Sequence, residues 1–260
     1  YLELYLAAGW SVTVIVPLRS PAAVGWNGYS HRAFLADYYA GEFPGSFATG
    51  MHFQSNPETG DRRTSGSAAS LAGLEAAIDA ADETALDMAI ARLTCAYAMV
   101  FGFGGLPLLY MGDELGMIND RSYLDDAAKR ADNRWVHRPA MNWQLVDGTA
   151  RASIVSDRVL AAITRLIQAR KQLPALHASV ATDAFTTSNP AVLVFRRRHA
   201  AGSIVEVYNM SESAQSFETS ALWPLTGPYV HDHISGEEFA MHDQSTIAPY
   251  GTWWLTSVLR

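Results

Sequence analysis

Groups able to do chemistry crowd into one stretch of this chain, Gly104–Trp143. Asp113, Glu114, Asp120, Asp125, Asp126 and Asp132 supply carboxylates. Arg121, Lys129, Arg130, Arg134 and Arg138 supply positive charge; Asn119 and Asn133 are amides, and Trp135 and Trp143 are indoles. Acid–base and glycosyl chemistry both call on carboxyl groups, and the latter needs two of them facing each other across one bond. Asp113 and Glu114 are the tempting pair. Neighbours in extended chain point to opposite faces, so they cannot flank one bond. Both are read as structural groups, with Glu114 a brace. Flat aromatic faces suit sugar rings, and the chain has 7 Trp and 11 Tyr, though most should fill the core.

Other chemistries fit poorly. His31, His52 and His137 stand alone, without metal-ligand spacing to another His or Cys. Asn119, Asp120, Asp125 and Asp126 do not fit the calcium loop of an EF-hand. No metal and no cofactor is expected. Ser65 and Ser67 lie near glycines but lack a nucleophile-elbow pattern, and no dinucleotide or P-loop glycine pattern occurs. A net charge of −7 with no basic stripe argues against nucleic acid. The Arg196–Arg198 cluster is read as a solvated strand end. Cys95, the single cysteine, is read as a buried core residue. No signal-peptide pattern is seen, so a cytoplasmic location is expected. Ala89–Leu109 comes nearest to a membrane span, but Arg92, glycines and Pro107 break it.

The elements that must position the loop follow from periodicity. Leu106–Met111 is an apolar run closed by Gly112, which reads as a buried strand emptying into a polar loop. That is how α/β enzymes build a site. Apolar spacing predicts helices over 31–40, 67–80, 84–101 and 156–173, with Ser30, Thr84 and Ser156 as caps. Val12–Val16 is a β-branched strand. Residues 41–65 are turn-rich but carry Phe43, Phe47 and Phe53, so they fold as a loop. From about 178 the period changes to two, which predicts an all-β module after Pro174. The fold class is α/β plus all-β.

Several segments together resemble the amylosucrases of the α-amylase superfamily. Gly105–Glu114 (GLPLLYMGDE) resembles that superfamily's strand-eight motif. The narrower likeness lies in ADNRWVHRP (131–139), GYSHRAFL (28–35), GSFA (45–48), FQSNPETGD (53–61) and IAPY (247–250). The resemblance runs from about Ala22 to Arg260. It implies the C-terminal portion of a (β/α)₈ TIM barrel followed by an antiparallel β-sandwich. The implied parts are a divergent stretch around strand seven (1–26), a lid-like insertion (27–66), the last part of the barrel (67–174) and the sandwich (175–260).

The implied activity is retaining transfer of glucose from sucrose to an α-1,4-glucan, releasing fructose. A sucrose hydrolase, a glucan-isomerising relative and a non-catalytic carbohydrate-binding remnant are the alternatives. Sucrose and α-glucan are the implied partners, with no nucleic acid and no membrane. By the family pattern the nucleophilic Asp and the acid/base Glu lie upstream of Tyr1. A third carboxylate should fall within Tyr1–Pro21, where the only acid is Glu3. No catalytic residue is therefore expected in this chain, and a truncated or damaged copy is the expected explanation. Arg134 matches a family arginine that reaches the glucosyl pocket, where a planar guanidinium can hold sugar hydroxyls in fixed geometry. Its alternative role is pairing with one of the loop's own acids. Arg32, Gln54 and Arg63 match polar positions that contact fructosyl or glucan units, and alternatively brace their loop. Arg62 beside Arg63 leaves the match uncertain by one position. An exposed barrel edge is expected to favour self-association.

Overall fold

The computed structural model describes residues 31–58, 60, 62–146 and 153–258, leaving out the side chains of His31, Arg32 and Ser153. The expected strand Val12–Val16, the stretch 1–26 and the cap Ser30 lie outside the described residues. The chain divides into two compact units. One holds residues from 31 to 93 with Leu109–Leu160; the other holds Thr94–Leu108 and the residues from Ala161 onward.

The first unit opens with the helix His31–Tyr39. Strands β1 (Met51–Phe53) and β2 (Arg63–Ser65) then form an antiparallel hairpin, with Met51 opposite Ser65 and Phe53 opposite Arg63. The helix expected over 67–80 is two pieces, Ala68–Leu71 and Leu74–Ala80. The break falls at Gly73, whose φ is 94°, a left-handed conformation that glycine adopts without strain. A Cβ there would stand 3.2 Å from the Phe47 ring and from Arg92 Nη1, so glycine also makes room for that cation–aromatic pair.

Helices Glu83–Gly102 and Ser153–Gln172 follow the predicted periodicity but start earlier than expected. Asp82 rather than Thr84 caps the first, accepting from Ala85 N–H at 3.0 Å. Ser156 lies inside the second and is buried. Glu83–Gly102 is the one helix among the described residues long and apolar enough to cross a membrane, and 61% of that window is buried. Leu86, Ile90 and Leu93 occupy its buried side in the first unit, as in a core helix.

The run 106–111 departs from expectation. It is not a ladder strand, and among the described residues no strand pairs with it. Leu106 is 78% exposed and Leu108 62%. An apolar run becomes a buried strand only when neighbours supply hydrogen bonds and cover both faces. Among the described residues neither is present. The polar segment after it is not irregular throughout. It is a string of 3₁₀ turns at Asp113–Leu115, Ser122–Asp125 and Asn133–His137.

In the second unit, strands β3 (Thr182–Phe185), β4 (Val192–Arg197), β5 (Ile204–Asn209), β7 (Tyr229–Asp232), β8 (Glu238–Ala240) and β10 (Thr252–Ser257) form one antiparallel sheet of order β3-β4-β5-β10-β7-β8. Strands β6 (Gln215–Glu218) and β9 (Gln244–Ile247) pair separately. Val194, Val207, Val230 and Leu255 from the larger sheet share one core with Phe217 and Ile247 from the smaller. All six residues of β5 are buried because both its faces are covered. Val205 and Val207 enter the shared core, while Tyr208 reaches the helix and donates to Ala98 O at 3.4 Å.

The Arg196–Arg198 cluster is not simply a solvated strand end. Arg196 and Arg198 pair with Asp183 on β3. Arg197, one pleat over, is fully buried. Its donors go to the carbonyls of Ala175, Gly102, His177 and Val180 at 2.6–2.8 Å. Buried guanidinium is tolerated only when its N–H groups are satisfied, and four carbonyls do that.

Candidate functional site

The loop of 3₁₀ turns is pinned to the β1–β2 hairpin by side chains of opposite kinds. Asn119 is buried and uses its whole amide: Oδ1 accepts from Ser67 N–H at 2.8 Å, and Nδ2 donates to Thr49 O at 2.8 Å. Asn133 Nδ2 donates to His52 O, and Arg121 pairs with the buried Glu75. These are polar groups doing structural work. Asp120 and Asp126 accept from the nearby backbone N–H groups of Ser122 and Ala128, both at short range in sequence.

What the pinning produces is an open cleft of about 540 Å³, with Phe53, Gln54, Arg130, Asp132, Asn133 and Arg134 in its wall. Gln54 is exposed and sits at φ 51°, the left-handed region that costs an ordinary residue roughly 1–2 kcal/mol. Arg134 is exposed, with its guanidinium 5.6 Å from the centre of the Phe53 ring. Asp132 forks it: Nε donates to both carboxylate oxygens at 2.8 and 3.0 Å, and Nη2 donates to Oδ2 at 2.7 Å. Arg134's own backbone N–H also donates to Asp132, at 3.0 Å. The Arg134 side chain, then that backbone N–H, hold the Asp132 carboxyl down to about 2. Asp132 is thus ionised and committed, unfit to donate a proton as a general acid. Nη1 of Arg134 has no partner among the described residues.

The sequence-derived residues fare differently. Gln54 and Arg134 come together in this cleft, and Arg134 also makes the pairing with a loop acid that was its alternative. Arg63 is exposed and directly opposite Phe53 in the hairpin, hence on the same face of it. Of the two neighbours, Arg62 is paired with Asp37, to which its Nε donates at 2.7 Å, whereas Arg63 makes no such pairing among the described residues. Arg32 belongs to the helix His31–Tyr39, and its side chain is outside the described residues. Asp113 is buried and Glu114 half-buried in a 3₁₀ turn rather than in extended chain. Glu114 accepts from Gly112 N–H at 2.9 Å, a brace of the turn.

Two of the histidines have side-chain partners, none of them a His or Cys. His52 lies between carboxylates, with Nε2 3.0 Å from Asp37 and Nδ1 3.3 Å from Glu42. Ligand atoms of Asp37, Glu42 and His52 lie within 4.8 Å of one another. Arg62 already neutralises Asp37, so the group is an ion-paired brace between hairpin and helix. His137 Nδ1 is 2.8 Å from Ser65 Oγ, and burial, then Arg138, push its pKa down. Sequence spacing missed both because their partners are 10 to 72 positions away. Cys95 is buried, and burial pushes its thiol up to about 11, leaving it inert at neutral pH.

Residues 183–256 match the family described as amylosucrase, C-terminal domain. They begin within β3 and end within β10, and so take in the whole two-sheet core. Among solved structures, one of a variant of AmyP in complex with maltotriose matches with a TM-score of 0.53 and 16% identity, over 65% of this chain and 36% of that one. AmyP in complex with maltose matches with a TM-score of 0.51 and 16% identity, over 66% of this chain and 36% of that one. At this identity the likeness is one of fold. The chain spans about a third of the length of AmyP.

Proposed function

We propose that this chain is the C-terminal part of a retaining, sucrose-dependent glucosyltransferase of the amylosucrase type. The cleft around Gln54 and Arg134 is one wall of its sugar site. In this reading 67–174 is the last part of a (β/α)₈ barrel, with 106–111 its eighth strand and 41–65 part of a lid. Supporting it are the match of 183–256 to the amylosucrase C-terminal domain and the maltose and maltotriose complexes of AmyP. The observation that carries it is the meeting of Gln54 and Arg134, 80 positions apart, in one cleft beside an aromatic ring. Phe53 offers a sugar ring an apolar face. The Gln54 amide and Arg134 Nη1 offer hydroxyl partners.

One observation favours binding without turnover. The acid in the cleft wall, Asp132, is ionised and forked by Arg134, so no proton donor stands there. We therefore expect the chain to bind sucrose and not to release fructose from it. Calorimetric titration with sucrose tests the first part. Arg134→Ala should weaken binding at least about tenfold, on the order of 1.4 kcal/mol. Unchanged affinity in that variant would remove Arg134 from the site. Fructose release by the wild-type chain, abolished by Arg134→Ala, would overturn the binding-only reading.

A further inference from the structure

Two histidines that the sequence did not single out stand together at the end of β7. His231 lies in the strand and His233 just beyond it. Residues two apart in extended chain point to the same side, and these two rings meet, 4.5 Å between centres and at 88° to each other. The backbone beneath them is fixed. Asp232, between them, is buried, and its carboxylate accepts from the N–H groups of Trp254, Ile234 and Ser235 at 2.8, 3.2 and 3.1 Å. His233 N–H donates to Trp254 O at 2.9 Å. The rings themselves are little committed. His233 Nε2 lies 2.9 Å from Thr256 Oγ1. Neither His231 nor Nδ1 of His233 has a hydrogen-bond partner among the described residues. Glu238 stands opposite His231 in the β7–β8 ladder, so its side chain leaves the sheet on the same face. It is exposed and makes no hydrogen bond or ion pair among the described residues.

We infer that His231 and His233 chelate a divalent transition-metal ion, with the Glu238 carboxylate as a third ligand. Two imidazoles that share one ion, each nitrogen about 2.1 Å from it, bring their ring centres to roughly 4.5–5 Å. The rings already stand at that spacing, on backbone held by Asp232, so binding asks only for side-chain rotation. Imidazole with one carboxylate is a donor set for copper, nickel or zinc, and among these Cu²⁺ binds tightest. Calcium and magnesium demand more oxygen ligands than one carboxylate gives. The other grouping of ligand-type atoms, Asp37, Glu42 and His52, is the weaker candidate, because the Arg62 guanidinium already sits on Asp37. The inference is independent of the sugar site proposed above.

Titration of the full chain, free of any histidine tag, with Cu²⁺ tests this by calorimetry and by electron paramagnetic resonance. The tightest site should take one ion per chain, and its spectrum should carry the splitting of two imidazole nitrogens. An ion held only by the folded chain should also raise the melting temperature. His231→Ala should weaken that site at least about tenfold and leave a single nitrogen in the spectrum. Glu238→Gln should weaken it by a smaller factor and keep both nitrogens. The metal-free melting temperature should change little in either variant, since neither side chain makes a hydrogen bond among the described residues. Equal copper affinity in wild type and His231→Ala overturns the site. So does a wild-type spectrum with one nitrogen only, which would leave the two rings as a packing contact.

Discussion

Gln54 holds a backbone conformation that favours glycine, in the wall of the cleft proposed above as a sugar site. Strain of this kind persists where surrounding structure over-determines it, and it collects at ligand sites. Gln54→Gly separates the two contributions. It should relieve strain and raise stability by up to roughly 1 kcal/mol, because glycine adopts this φ freely, partly offset by the looser unfolded chain. The same change removes the amide and should lower sucrose affinity. A denaturant melt beside a calorimetric titration reads both, and a drop in stability with affinity intact would contradict the assignment. For Arg134 the pH dependence has a definite sign. Asp132 has its folded pKa lowered from 3.8 to about 2, so the pair is intact above that range and is lost only as pH falls through about 2. Sucrose binding should therefore be flat from about pH 8 to pH 5 as far as this pair is concerned. Arg134 and Gln54 were singled out separately, by resemblance. Their meeting in one cleft was not legible, because it depends on Asn119, Asn133 and Arg121 tying the loop to the hairpin.

Strand β5 shows how burial on both faces changes the chemistry of one element. Alternation predicts a half-buried strand at 204–209, and the ends came out as expected. What alternation does not carry is Glu206, wholly buried beside Tyr208 and facing Gly102, where a Cβ would collide with both side chains. Tyr208 O–H donates to Glu206 Oε2, while Oε1 has no partner among the described residues. Burial, opposed by the Tyr208 hydrogen bond and by Arg197 and Arg170, raises the Glu206 pKa from 4.5 to about 7. A carboxyl raised in the folded state binds its proton more tightly there than when unfolded. Stability therefore falls as pH rises between 4.5 and about 7, and the loss is complete above that window. The full effect is at most about 3 kcal/mol. Urea melts at about pH 5 and pH 8 should differ in that direction, and Glu206→Gln should flatten the difference. A wild-type stability that rises over this interval would contradict the assignment. The arginine triplet at 196–198 carries the same lesson. Three like residues read as a solvated end, yet pleating sends Arg197 to the other face, where carbonyls from 102 to 180 receive it.

The C-terminal sheets could be anticipated because the period of two is plain in the six-residue strands β4, β5 and β10, and antiparallel neighbours such as β4 and β5 lie close in sequence. The short strands β3, β8 and β9 were not separately legible, since four residues or fewer hold too little alternation. Leu106–Met111 marks the opposite limit. Its composition says strand, but whether it is buried depends on neighbours that local pattern does not encode. In the structure Leu106, Leu108 and Tyr110 are exposed at every second position, which is one face of an extended segment. The adjoining Met111 is 54% exposed as well. Such a segment, with no strand partner among the described residues, offers backbone groups and apolar side chains together, the combination that recruits another chain edge to edge. The chain should accordingly self-associate in solution, with apparent mass rising with concentration in light scattering after size exclusion. Replacing the two most exposed leucines, Leu106→Lys with Leu108→Lys, puts charge on that edge and should return the chain to monomer. Because both side chains are already exposed, the melting temperature should change little. A wild-type chain that stays monomeric across the concentration range would show that this edge recruits no second copy.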